Sequence, residues 1–254
     1  TPIETALKTL LGDLPSIDEE ESQPLLAATG RVLSESLTAS IDVPPYNNSA
    51  MDGYAVNTAD LAEGKTSLEI VQRITAGEVG AGLSSGQAAR IFTGAPIPAG
   101  ADAVVMQENC EKMENAVQIM QTVKPGTNIR LAGEDIKAGS TLLSAGHRLL
   151  VQDMGLLAST GLNEVKVKRK LKIALMTTGD ELVKPGTKLA PGQIYNSNFY
   201  SITALLHQLN VQVLDVGVIA DNLESTEKAL QEAAAAADCI ISTGGVSVGD
   251  EDYV

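Results

Sequence analysis

Apolar positions at Ile3, Leu7, Leu10, Leu11 and Leu14 recur at helical spacing, and Thr1-Pro2-Ile3-Glu4 carries the Thr-x-x-Glu pattern of a capping box. A short amphipathic helix is predicted to open the chain. Leu25, Leu26 and Ala28 follow Ser22 and Pro24 with a second helical pattern, and Gly30 stands where a helix ends. From Val43 to about Ala138 the pattern changes. Short β-rich segments (Leu68–Ile74, Ala89–Thr93, Ala103–Gln107, Ala116–Val123) alternate with Gly, Pro and Asn turns, which predicts a small β-barrel or sandwich. Gly146 to Thr160 is again helical in pattern and stops at Gly161, and the Lys-rich Val165–Val167 reads as an edge strand rejoining the first helices. The last third alternates: strand Lys172–Met176, helix Ser197–Leu209, strand Val211–Ile219, helix Ser225–Ala237, strand Cys239–Ser242. That order favours a parallel sheet with right-handed crossovers, whose ligands bind beyond the carboxyl ends of the strands.

Composition narrows the chemistry. The 254 residues are 44% hydrophobic and 20% charged, an ordinary globular balance with enough chain for two or three domains. Thirty-two acidic against 18 basic residues leave a charge of −14, which argues against a nucleic-acid or anionic-membrane surface. Cys110 and Cys239 make no disulfide framework, and with two histidines, His147 and His207, a His/Cys zinc site is not expected. Both histidines read as structural or solvated, and both cysteines as small packing residues, Cys239 inside a core strand. Any metal would rest on carboxylates, as Mg²⁺ does. No apolar run approaches a membrane span and no signal-peptide pattern opens the chain, so a cytoplasmic protein is expected. Lacking an initiator Met and stopping in what reads as a loop-to-helix motif, the sequence looks like a piece of a longer protein.

The polar residues cluster after the three predicted parallel strands: Thr178-Gly179-Asp180-Glu181, then Asp221-Asn222, then Thr243-Gly244-Gly245-Val246-Ser247-Val248-Gly249. The glycine run can turn backbone N–H groups onto a phosphate, with Thr243 or Ser247 adding a hydroxyl; equally, it can be a tight strand-to-helix turn. It matches neither the Walker nor the dinucleotide pattern. Glu181, Asp221 and Asp252 would repel one another if they converged, unless a divalent cation lay between them. Singly, each suits a helix start, Asp221 before Asn222-Leu223-Glu224 above all. Pro44 to Val56 is a loop dense in hydrogen-bonding groups, either functional or an Asx-rich connector. Arg130 can bind an oxyanion in bidentate fashion or pair with Glu134 or Asp135, and charge alone favours the pair.

Taken together, Asn48-Ser49-Ala50-Met51-Asp52-Gly53-Tyr54-Ala55-Val56, Thr93-Gly94-Ala95-Pro96, Ala103–Glu108, Ile129-Arg130 with Gly133-Glu134-Asp135, Thr178–Leu182 and Gly244–Gly249 resemble the molybdopterin molybdenumtransferase family of the MoeA type. The resemblance runs through the whole chain in order. It implies an enzyme that inserts molybdate into adenylylated molybdopterin with Mg²⁺, giving molybdenum cofactor and AMP. It also implies a homodimer whose site joins the pterin-binding domain of one subunit to the β-domain of the other. By motif, Glu181, Asp221 and Asp252 would line the pterin and metal site. Thr178, Gly179, Asp180, Thr243, Gly244, Gly245 and Ser247 would hold the cofactor, with Thr243 to Ser247 on phosphate. Asp52, Thr93, Arg130 and Asp135 would come from the neighbouring subunit.

Two departures stand out. Asn47 replaces an Asp that many members carry, and the family continues beyond Val254. The implied division is a discontinuous α+β domain (1–44 and 139–169), a β-domain (45–138) and an incomplete parallel α/β, pterin-binding-like domain (170–254). Two alternatives compete: a non-enzymatic dimeric scaffold such as gephyrin, and the adenylyltransferase of the preceding step, which is also a conceivable partner. The residues before Leu171 count against the latter identity, because a single-domain adenylyltransferase has no need of them.

Overall fold

A computed structural model describes residues 2–12, 14–61 and 65–244. The main elements in chain order are α1 (Ile3–Gly12), β1 (Glu20–Pro24), β2 (Gly53–Val56), β3 (Thr66–Ile74), β4 (Gln87–Ile91), β5 (Ala103–Met106), β6 (Cys110–Lys112) and β7 (Ala116–Ile119). They continue with α2 (Val151–Ser159), β8 (Glu164–Lys168), β9 (Lys172–Thr178), α3 (Ser197–Gln208), β10 (Gln212–Ile219), α4 (Leu223–Ala236) and β11 (Cys239–Thr243). The chain folds as two compact units, one of residues 1–35, 144–154 and 163–254, the other of 36–143 and 155–162.

The second unit is built on one six-stranded curled sheet, order β5-β2-β4-β3-β7-β6, in which only β3 and β4 run parallel. Strand alternation divides its apolar residues between two clusters. Tyr54, Val56, Leu68, Ala88, Val105, Val117 and Ile119 form one, and Ala55, Ile74, Ala89, Ile91 and Val104 the other. Leu68 and Ile74 should share a face, yet they fall in different clusters. A bulge between Ile70 and Gln72 inserts one residue against β4 and flips the strand beyond it. Gly53 sits where β2 and β5 approach so closely that a Cβ would lie 2.0 Å from the Val105 carbonyl oxygen.

In the first unit, β9 is central to a parallel sheet of order β10-β9-β11. Ile173 to Met176 are buried, as a strand covered on both faces should be. Asn196 and Asn222 cap α3 and α4, their side-chain oxygens accepting from the Phe199 and Ser225 N–H groups at 3.2 and 2.9 Å. At the opposite end of the strands Arg169 grips Asp238 through two hydrogen bonds of 2.7 and 2.8 Å. Asp238 also accepts from the Lys172 N–H at 2.8 Å, tying the start of β9 to the start of β11. The Arg169 guanidinium and this N–H hold the Asp238 carboxyl down to about 2.

Four local expectations are corrected. The pattern at Leu25–Ala28 is only a four-residue 3-10 turn, because β1 pairs with β8 through Pro24 and draws Ser22 and Pro24 into a strand. α2 begins at Val151, not near Gly146. Asp153 in its first turn accepts from the Leu150 N–H and from His147 Nε2, both at 2.7 Å, so His147 is structural. Asn222 rather than Asp221 caps α4. Cys239 is exposed at the first position of β11, an edge strand of the described sheet, so it is no core residue.

Candidate functional site

The three parallel strands end together. β9 runs out at Thr178, β10 at Ile219 and β11 at Thr243, with Thr178 paired to Ile219 and Thr177 to Thr243. The turn after β9 is stitched to the end of β10, since the Gly179 N–H donates to the Ile219 carbonyl and the Asp221 N–H to Asp180 Oδ1, both at 3.4 Å. Two glycines make the close approach feasible. At Gly244 (φ +90°) a Cβ would lie 2.3 Å from Thr178 Oγ1, and at Gly179 (φ +141°) it would lie 2.6 Å from Glu181 Oε2. The Glu181 carboxylate is therefore folded over bare glycine backbone.

Thr178, Gly179, Asp180, Glu181, Asp221, Thr243 and Gly244 thus share one rim. Glu181 and Asp221 are exposed, and among the described residues neither carboxylate makes an ion pair or a hydrogen bond. No group of three or more His, Cys, Asp or Glu residues close enough to hold a metal occurs among the described residues. Asp252, Gly245 and Ser247 lie outside them. One supporting residue escaped the sequence reading. Asn196, 6% exposed, donates from Nδ2 to Thr177 Oγ1 at 2.9 Å and anchors the rim from below. Its signal was present, since an Asn stands just before the Ser197 helix.

In the second unit three loops meet. Asn48-Ser49 pairs with Ile129-Arg130, the Ser49 N–H donates to the Ala95 carbonyl at 2.9 Å, and the Gly94 N–H donates back to Ser49 at 2.8 Å. Asp52 and Thr93 are brought together: the Asp52 carboxylate accepts from the Thr93 N–H at 2.9 Å and from its hydroxyl at 2.7 Å. Those two bonds hold the Asp52 carboxyl below its ordinary value. Arg130 and Asp135 form a 2.6 Å ion pair, with Glu134 at 3.9 Å, so the acidic-pair reading of Arg130 holds in the single chain. Among the described residues the Asn47 side chain uses only its oxygen, accepting from the Ala132 N–H at 2.8 Å. An Asp supplies that oxygen equally well, so the departure leaves the loop contact intact. Arg90 was also missed; it donates to the Gly53 carbonyl at 3.0 Å beside Asp52.

Comparison with known proteins identifies the family. The family described as "MoeA N-terminal region (domain I and II)" matches residues 1–161, and "Probable molybdopterin binding domain" matches 174–254. A molybdopterin molybdenumtransferase of a Nostoc species is 43% identical over 96% of this chain and 57% of its own length. One from Haemophilus influenzae is 41% identical over 99% and 62%. The chain therefore spans about six-tenths of the curated relatives it matches. A solved molybdopterin biosynthesis MoeA protein from Pyrococcus horikoshii superimposes with a TM-score of 0.88 at 33% identity, covering 96% of this chain and 66% of that one. Matched by the family description over well more than half its residues, the chain belongs to the MoeA family.

Proposed function

We propose that this chain works in molybdenum cofactor biosynthesis as a molybdopterin molybdenumtransferase, inserting molybdate into adenylylated molybdopterin and releasing AMP. The observation that carries the reading is the rim at the ends of β9, β10 and β11. There two uncommitted carboxylates stand beside a glycine-backed turn and a threonine hydroxyl, Thr178, that makes no hydrogen bond among the described residues. Phosphate oxygens suit the hydroxyl and the glycine turn. Glu181 and Asp221 are oxygen donors of the type Mg²⁺ takes, and Mg²⁺ needs only one or two protein carboxylates when a substrate phosphate supplies further ligands. These two residues would hold the ion, with Asp252 as a third.

Mg²⁺, when bound, supplies positive charge that offsets the phosphate linkage. Thr178 and the Thr243-to-Ser247 turn bind phosphate, while Asn196 fixes Thr177 and keeps the rim in register. In the second unit Asp52, Thr93, Arg130 and Asp135 serve the site of a partner subunit in a homodimer. The adenylyltransferase of the preceding step would hand over the substrate, and the protein would be cytoplasmic. Three domains with the boundaries drawn from sequence belong to the same proposal. Among the described residues no helix is long and apolar enough to cross a membrane.

The test is to incubate the protein with adenylylated molybdopterin, Mg²⁺ and molybdate and to measure AMP. Molybdate-dependent AMP release supports the reading. Tight dimerisation with neither binding nor release would replace it with the scaffold reading.

A further inference from the structure

The curled sheet carries a polar cavity of about 770 Å³ whose lining includes none of the residues assigned to the reaction above. The bulge in β3 lies in its lining. By flipping the strand after Ile70, it sets Arg73 directly beside Arg90 of β4 and on the face that carries Tyr54. Both guanidinium groups reach the ring of Phe92, and two like charges gathered on one side chain cost stability unless something negative offsets them. Among the described residues neither arginine forms an ion pair, although the chain is strongly acidic.

Two carboxylates, Glu78 and Asp52, feel these charges without pairing with them, and their oxygens are hydrogen-bonded elsewhere. Glu78 accepts from the Thr75 hydroxyl and N–H at 2.7 and 3.1 Å, and Asp52 accepts from Thr93. Lys112 adds a third cation to the lining against the single carboxylate of Glu114. Phe92 forms the platform, with the Arg73 and Arg90 guanidinium carbons 4.4 and 4.5 Å from its ring centroid. Ring contacts orient both groups by their faces and leave N–H edges for a ligand. Arg90 is further fixed by donating to the Gly53 carbonyl and to Gln107 Oε1.

We propose that this cavity is a binding site for a small ligand bearing a tetrahedral oxyanion, gripped by Arg73 and Arg90. The cavity is far larger than one oxyanion and is walled by Phe92 and Tyr54, so it has room for a ring attached to the anion. The lining of this site includes none of the residues at the strand ends.

The test is a calorimetric titration of the protein with phenyl phosphate, inorganic phosphate and phenol. Saturable binding of the phosphates and none of phenol is expected. Arg73→Gln should weaken binding at least tenfold without lowering the melting temperature, Arg73→Lys should recover part of it, and Lys124→Gln, elsewhere on the same unit, should leave it within twofold. Tighter phenyl phosphate would identify a ring-bearing phosphate ester, and equal affinities a free oxyanion; both support the site. Absence of saturable phosphate binding, or binding indifferent to Arg73→Gln, would overturn it.

Discussion

Two acidic regions of this molecule solve the problem of charge in opposite ways. In the loop corner of the curled sheet, Asp52 is bonded twice to Thr93 and Asp135 is paired with Arg130, so each carboxylate is satisfied within its own unit. At the rim of the parallel sheet, Glu181 and Asp221 face solvent with no such partner among the described residues. The first arrangement holds a loop in shape. The second leaves charge available to a cation or ligand, and it is the one expected to respond when either is added.

The contrast can be broken most severely at Gly53. Its backbone lies against the Val105 carbonyl, so Gly53→Ala forces β2 and β5 apart and should cost about 3 kcal/mol. Chemical denaturation should show the loss in the curled-sheet unit. A smaller effect is expected beneath that rim. Asp238→Asn removes the carboxylate that Arg169 grips and should cost about 1 kcal/mol, given that the pair is partly exposed.

The same group sets a pH dependence. The Asp238 carboxyl is lowered from 3.8 to about 2, so its contribution is complete above about pH 4 and is lost as pH falls toward 2. Urea midpoints between pH 5 and pH 2 should therefore fall less steeply in Asp238→Asn than in the parent. The smallest change sharpens the comparison. Thr93→Val deletes one of the two bonds to Asp52, and an NMR titration should show that carboxyl moving back up toward its ordinary value. An unmoved titration would mean that the backbone N–H alone sets it.

Much of this was legible in the chain. The alternation of strand and helix after Lys172 gives the parallel sheet, because buried parallel strands are written as apolar runs and their crossovers as amphipathic ones. The turns at Thr178 and Thr243 announced the rim through their glycines. The bulge in β3 was not legible: Leu68 to Ile74 reads as one continuous strand, and only pairing with β4 reveals the extra residue that turns Arg73. The pairing of Asp52 with Thr93, 41 residues away, is equally invisible to periodicity; the family resemblance assigned both to one site and not to each other. Leu25–Ala28 misled because four residues of helical pattern do not outweigh a strand pairing next to them.

On the proposed function, the open carboxylates at the strand-end rim recruit a cation together with a phosphate-bearing pterin. The most direct measurement is calorimetric binding of adenylylated molybdopterin with and without Mg²⁺, in the parent and in Glu181→Ala. Binding that requires Mg²⁺ and falls at least tenfold in the variant is the predicted result. Binding equally strong without Mg²⁺ and in Glu181→Ala would contradict it.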